Sequence, residues 1–350
     1  MTRGLVFAEP GSAPQLEEIV LDEPGPDEVR VRVEACGVCH TDLHVLESGG
    51  WHMRFPILLG HEPAGIVEAV GEGVVHVVPG DRVVVAWHVP CGVCRNCLRG
   101  DERRCAKYLR GARKMRLARD DSSLTGVLRT GGFADAIVVH AACAVKVPKE
   151  LPPEQACLLA CGFSTGAGAA LWATPVQPGS SVAVIGCGGV GLAVLQGARL
   201  AGASRIVAID TVPEKLELAL ELGATEAVEA GTPVDEIDYA FSAVGAPQAL
   251  VAAMRMCAYG GVATLVGVPP SGAGLDLDVE MDLFARKVTV AVTHGGDIVP
   301  AVDIPFLAQA ALDGTFDLQR FVTSRVALED VPAALEALHA PTGIRTVAVL

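Results

Sequence analysis

Aromatic side chains are scarce in this chain of 350 residues: Phe, Trp and Tyr together make up 4% of it. Cations are in deficit too, with 27 Lys and Arg against 41 Asp and Glu and a formal net charge of -14. A protein that grips a duplex must replace the counterions around phosphates with its own cations, so this balance argues against nucleic acid as a partner. The first residues, MTRGLVFAEPGSAP, contain no long apolar run. No secretory leader is therefore expected, and the cytoplasm is the expected location. An unbroken apolar stretch of spanning length is also missing. Residues 156–176 and 181–198 come nearest, but several glycines interrupt both, so buried core is expected there and no membrane partner. There is no internal repeat.

What is plentiful is glycine, 39 residues, and apolar side chains, 51% of the chain. The length suits two domains, and many glycines with few aromatics suit an α/β protein with tight strand–helix turns. The 11 cysteines are odd in number. In a cytosolic chain, clustered cysteines point to metal or catalysis before disulfides.

Residues 1 to about 150 read as mostly β. The β-branched runs 28–36, 65–70, 82–87 and 133–139 are punctuated by Pro and Gly. From about Pro152 the texture changes. Apolar strands are expected at 181–186, 205–210, 239–244, 262–267 and 287–292, with a helix over 213–223 that has Pro at its start and Gly at its end. Alternating strands and helices imply a doubly wound parallel sheet.

The first such strand runs into Gly186-Cys187-Gly188-Gly189-Val190-Gly191, a G-x-G-x-x-G that opens a helix, which is the context a dinucleotide motif requires. Gly186 permits the tight turn, Gly188 lets the backbone approach a pyrophosphate, and Gly191 lets helix pack on strand. The helix N-terminus offers N–H groups to phosphate. Asp210 stands 19 residues beyond Gly191, at the end of the next strand. Its carboxylate suits the adenosine ribose hydroxyls and repels a 2′-phosphate, which favours NAD over NADP. The plainer reading is a helix cap beside a Gly-rich turn.

Cys91, Cys94, Cys97 and Cys105 form C-x2-C-x2-C-x7-C. Four thiolates suit tetrahedral zinc. A ferredoxin-type cluster run has a shorter last gap and a Pro after its fourth Cys, whereas Ala106 follows here. Four protein ligands leave no open position, so this zinc is expected to be structural. The run from Arg95 to Arg129 is rich in Arg and Lys but carries Asp101, Glu102, Asp120 and Asp121. A solvated lobe is the first reading, and an anion patch or a subunit contact the alternative.

Three further candidate ligands are scattered: Cys39 in GVCHTDLH, His61 in GHE and Cys161 in ACGFSTG. No spacing links them, and singly each reads as a core thiol or a satisfied histidine. Taken with LLGHEPAGIV, GCGGVG, the Asp210–Lys215 stretch, LVGVPP and the final GIRTVAVL, they make the chain resemble a zinc-containing medium-chain dehydrogenase, of the alcohol and formaldehyde dehydrogenase type. These pieces span nearly the whole chain in the family's order.

The resemblance implies a GroES-like β domain, residues 1–161 and 296–350, carrying both zinc sites, with a Rossmann domain inserted at 162–295. It implies a catalytic zinc on Cys39, His61 and Cys161, with Glu62 behind the metal or briefly on it. It implies that Thr41 meets the substrate oxygen and that a proton leaves through Thr41, the nicotinamide ribose and His44. His40 and Arg345 match residues at the cofactor pyrophosphate, Lys215 one near the ribose, and Thr165, Val190 and Val268 positions around the nicotinamide. Trp87 matches a substrate-pocket position. The implied activity is NAD-linked, reversible hydride transfer between a primary or secondary alcohol and its carbonyl, in a homodimer or homotetramer. Rival readings are a thiol-dependent formaldehyde dehydrogenase, an NADH-driven reductase of C=O or C=N bonds, and a non-catalytic binder that kept the fold. His52, His76, His88, His140, His294 and His339 match no motif and read as structural or exposed. Two departures stand out: the stretch between Glu229 and Ile237 is short for a strand–helix–strand passage, and residues 106–132 match no family motif.

Overall fold

The computed structural model of the chain describes residues 2–51, 53–109, 115–340 and 343–350. His52 and the part of the basic run at 110–114 lie outside the described residues. The chain divides into two compact units, Met1–Cys161 with Val299–Leu350, and Gly162–Ile298. The second passage between units thus comes at Val299, three residues later than the boundary read from the sequence. The reason is local: the turn Gly295–Asp297 packs on the helix Gly162–Gly168 and belongs with it.

The first unit is built on β-sheet. Its longest strand, Glu28–Gly37, buries Val29, Val31, Val33 and Ala35 on one face, the alternation expected of a half-buried strand. This strand pairs antiparallel with Pro63–Val70, with Ala136–His140 and with the C-terminal strand Arg345–Val349. Those pairings set up the site. Cys36 faces Pro63, and Val347 faces Gly37. One end of the strand therefore gathers the residues just after it, those just before Pro63, and Arg345.

The second unit holds, among the described residues, six parallel strands in the order Glu226–Glu229, Arg205–Asp210, Ser181–Ile185, Ile237–Ser242, Cys257–Leu265, Thr289–Val292. The run of strand order reverses beside Ser181–Ile185, and ligands of open α/β sheets bind at such a switch point. The short stretch 230–236 contains no helix. Among the described residues no single helix is long and apolar enough to cross a membrane. Residues 181–198 resolve into the strand Ser181–Ile185 and the buried helix Gly189–Leu200. Residues 156–176 resolve into short, mostly buried helical pieces, and these belong to the one bent helix pair of suitable length and composition, Pro153–Ala160 with Gly162–Ala173.

Candidate active site and metal centres

In the first unit, Cys39, His61, Glu62 and Cys161 each bring one donor atom to a common place, all four within 4.8 Å of one another. Cys39 is the N-cap of the helix His40–Glu47, where unpaired N–H groups favour a thiolate. Its thiol is held well below its ordinary value, first by the hydrogen bond with Cys161, against the opposing effect of burial. The same shared proton, with burial, drives Cys161 well above.

His61 is oriented by a residue that the sequence reading passed over. Its Nδ1 lies 2.7 Å from Asp42 Oδ2, and Asp42 Oδ1 accepts from Gly60 N at 2.8 Å. Burial alone would push the imidazole down, but the Asp42 carboxylate and Cys39 outweigh it and raise it well above its ordinary value. With Nδ1 committed, Nε2 faces the cluster, buried and without a hydrogen-bond partner. Both Glu62 carboxylate oxygens are buried and unbonded as well, although Arg345 Nη2 stands 3.3 Å from Oε1. Burial lifts the Glu62 carboxyl to about 7, with Arg345 pulling the other way. Two thiols, an imidazole nitrogen with no hydrogen-bond partner and a buried carboxylate are the donor chemistry of zinc, so the residues present fit that ion. Gly37 makes room for the arrangement: a Cβ there would stand 2.0 Å from Glu62 Oε2.

Arg345 is buried beside this cluster, its Nη1 donating to Val38 O at 3.2 Å. Its charge is strengthened despite burial by Glu62 and Cys39. On the helix His40–Glu47, Thr41 and His44 are half-buried and three positions apart, the spacing of neighbours on one helix surface. The His44 ring lies 6.3 Å from that of His40 and 6.4 Å from that of Trp51. Trp87 is buried just beyond the strand Arg82–Val85.

Cys91, Cys94, Cys97 and Cys105 form a second cluster, again with donor atoms within 4.8 Å. Cys94 is lowered to about 6 by the backbone N–H groups of Cys97 and Ala106, while burial and Cys94 push Cys97 up to about 12. Cys105 is lowered against burial, and its sulfur accepts from Cys91 N and Tyr108 N, each at 3.3 Å. Four converging thiols, joined by no carboxylate among the described residues, suit a closed zinc site. The arginines around them meet carboxylates: Arg103 with Asp303 at 2.6 Å, Arg116 with Asp22 at 2.6 Å and with Asp121, Arg119 with Glu17 at 2.6 Å, and Arg104 with Asp101 at 3.6 Å.

In the second unit, Gly186 follows the strand Ser181–Ile185 with φ +93, and Gly188 caps the helix Gly189–Leu200. A Cβ on Gly191 would sit 1.7 Å from Gly186 O, whereas one on Gly188 would meet nothing within 4 Å. So Gly191 serves the close helix–strand approach, and the space over Gly188 is open to a ligand. Asp210 Oδ2 accepts from Cys187 N at 2.6 Å, and Oδ1 from Thr211 N and Val212 N at 2.8 and 3.0 Å. A carboxylate has about four lone-pair sites, so acceptor capacity remains. Gly186, Asp210, Thr211 and Gln248 line a cavity of about 1100 Å³, whose wall includes Ala230–Val234 of the helix-free passage. Lys215 and Val190 are half-buried in this unit, as is Thr165 on the helix Gly162–Gly168, and Val268 is half exposed.

A family model described as "Alcohol dehydrogenase GroES-like domain" matches residues 25–149, and one described as "Zinc-binding dehydrogenase" matches residues 189–309. The fold superposes on an alcohol dehydrogenase zinc-binding domain protein from Burkholderia ambifaria, 34% identical, with a TM-score of 0.92 and coverage of 100% of this chain and 98% of that one. The chain belongs to the zinc-containing medium-chain dehydrogenase/reductase family. A benzyl alcohol dehydrogenase from Acinetobacter calcoaceticus is 29% identical over 100% of this chain and 99% of its own, with a TM-score of 0.90. An NADP-bound putative zinc-binding dehydrogenase from Sinorhizobium meliloti is 26% identical over 100% and 99%, with a TM-score of 0.84.

Within this zinc dehydrogenase, several polar groups escaped sequence reasoning. Asp42 lay inside the quoted GVCHTDLH, three residues after Cys39, but nothing in a linear motif shows a carboxylate turning back to a histidine 19 positions on. The motifless histidines have ordinary duties: His140 Nδ1 accepts from Ala142 N at 3.1 Å, His76 bonds Ala141 O at 3.0 Å, His294 caps a turn, His88 is buried against Trp87, and exposed His339 stands near Glu47.

Proposed function

We propose that this oxidoreductase moves a hydride reversibly between an alcohol, primary or secondary, and NAD, with one catalytic and one structural zinc per chain. The observation that carries the reading is the cluster of Cys39, His61, Glu62 and Cys161, in which His61 Nε2 is buried with no hydrogen-bond partner. In this reading Cys39, His61 and Cys161 hold the catalytic ion and Cys91, Cys94, Cys97 and Cys105 the structural one. When bound, the catalytic zinc supplies a Lewis acid that lowers the pKa of an alcohol hydroxyl and polarises a carbonyl. The nicotinamide supplies the hydride acceptor.

The chain's own residues do the rest. Asp42 fixes the His61 tautomer so that Nε2 is the ligand atom. Thr41 accepts the hydroxyl proton as it gives up its own, and His44, at the outer end of the relay, releases a proton to solvent, apt for a side chain whose unperturbed pKa is about 6.5. Glu62, its charge balanced by Arg345 against the effect of burial, stands behind the ion. Trp87 forms a wall that orients the donor carbon, while Thr165, Val190 and Val268 flank the nicotinamide and His40 and Arg345 meet the pyrophosphate. Gly186, Gly188, Gly189 and Gly191 seat the phosphates at the helix N-terminus. Asp210, with Lys215 near, takes the adenosine ribose, and its negative charge supports NAD over NADP.

The test is coenzyme reduction, followed by absorbance, across a panel of alcohols that includes benzyl alcohol, with NAD and with NADP, and with and without low-molecular-weight thiols. Turnover with NAD and no added thiol is expected. Oxidation of formaldehyde only when a thiol is present, or preference for NADP, would replace this reading.

A further inference from the structure

Tyr108 joins two parts of the first unit that the proposed function treats separately. Its N–H donates to Cys105 Sγ at 3.3 Å, and Leu109 N–H donates to Val89 O at 2.9 Å. The backbone at Tyr108 is left-handed, φ 47, which a bulky residue adopts only when its surroundings hold it there. That hold positions the ring. It meets Trp87 edge-on, centroids 6.1 Å apart at 74°, and His88 at 6.1 Å and 90°. The Trp87 and His88 rings are 4.2 Å apart, and both residues are buried. Edge-to-face pairs at such separations attract, so the three rings form one packed group.

Trp87 in turn is tied to the metal cluster by register. The strand Arg82–Val85 sets Val83 against Gly65 and Val84 against Ala64. The pairing is antiparallel, so Trp87, two residues past Val85, and His61, two residues before Pro63, leave the sheet at the same end. A thiolate bound to a cation stays a charged acceptor, and hydrogen bonds to charged acceptors are the stronger kind. The state of the four-cysteine lobe therefore governs how firmly Tyr108 is held.

We propose that Tyr108 is a positioning residue, through which the four-cysteine lobe sets the Trp87 wall beside the His61 cluster and so decides which alcohols fit. The inference rests on Trp87 lining the substrate site, as in the proposed function. An indole wall matters for a bulky or aromatic alcohol and little for a two-carbon one. The lobe is then a determinant of selectivity as well as a staple.

The test uses the full-length holoenzyme labelled with 5-fluorotryptophan, with metal content measured for every sample. The chain has three tryptophans, Trp51, Trp87 and Trp172, and Trp87→Phe assigns the fluorine signal of interest. Cys97→Ser, which empties the lobe, should shift the Trp87 signal. Tyr108→Ala should shift it with all metal retained, and adding Cys97→Ser to Tyr108→Ala should move it no further. With substrates, Tyr108→Ala should lower kcat/KM for benzyl alcohol relative to ethanol by about tenfold, acting through KM, and Tyr108→Phe should restore the ratio. A Trp87 signal indifferent to the lobe, or equal losses on both alcohols, overturns the proposal. A wild-type enzyme that oxidises no alcohol overturns the proposed function instead, and the fluorine signal then still decides the link from lobe to wall.

Discussion

Asp42 and His61 form a fully buried pair, Oδ2 to Nδ1 at 2.7 Å, and this contact decides which imidazole nitrogen faces the thiols. Removing the partner of a metal-binding histidine lowers metal affinity or activity by about 10–100-fold. Asp42→Ala is expected to do so, and Asp42→Asn as well, because an amide whose Oδ1 stays on Gly60 N turns its NH2 donor to His61 Nδ1 and favours the wrong tautomer. Competition with a chromophoric chelator, beside kcat/KM, measures both. Unaltered affinity in Asp42→Ala would remove the orienting role.

The two clusters share no residue, so their ions should be separable. Cys39→Ala is expected to drop one metal equivalent and abolish turnover while the lobe keeps its ion. Cys94→Ala is expected to drop the other equivalent and lower Tm. Metal analysis of the two purified variants checks this, and turnover surviving in Cys39→Ala would refute the assignment of that cluster to catalysis.

Gly37→Ala places a methyl group 2.0 Å from Glu62 Oε2. Glu62 is fully buried, so its carboxylate must repack within the cluster to make way. Overpacking of this kind costs about 1–3 kcal/mol. Lower stability in chemical denaturation and weaker catalytic-site metal retention are expected together. A variant as stable and metal-replete as wild type would show that Glu62 moves freely.

Arg103 Nη1 and Nη2 hold Asp303 at 2.6 and 3.1 Å, across 200 residues of sequence. Asp303 is buried and also accepts from Val299 N at 2.6 Å, at the start of the helix Pro300–Leu312. Arg103 is about a third exposed, so solvent screens part of the pair. Arg103→Ala is therefore expected to destabilise the chain by about 1–2 kcal/mol, below the figure for a fully buried pair. Denaturant midpoints give the value. Raised hydrogen exchange at 300–312 should accompany it, and unchanged exchange there would mean that the helix does not depend on this anchor.

Asp282 binds Arg255 through both oxygens, at 2.9 and 3.0 Å, and its carboxyl is held below the ordinary value of 3.8, first by that contact. A carboxyl lowered on folding adds stability that is present above its unfolded pKa and fades as the pH falls through the folded one. Arg255→Met should thus have a lower Tm than wild type at neutral pH. The gap should shrink as the pH drops below about 4. A gap constant with pH would mean that the arginine acts through packing alone.

Features legible in the residues were those carried by short spacings. The apolar run 181–186 and the glycines after it announce a strand turning into a helix, because the turn needs a residue that accepts φ +93 and another that tolerates an oxygen 1.7 Å from its would-be Cβ. The four-cysteine run is equally local, since its members lie within 15 positions of sequence. Family resemblance extended the reading to Cys39, His61 and Cys161, whose grouping no spacing reveals.

The amino-acid order by itself determined the alternation of the long strand, the glycine turn after Ser181–Ile185 and the thiol lobe, because period-2 patterning, glycine conformations and tight cysteine spacing act between near neighbours. Tertiary structure alone decided that Asp42 turns to His61, that Arg345 reaches Glu62 from the far end of the chain, and that Tyr108 rests its ring on Trp87. Those contacts follow from strand register and from burial, which bring together groups that no local rule relates.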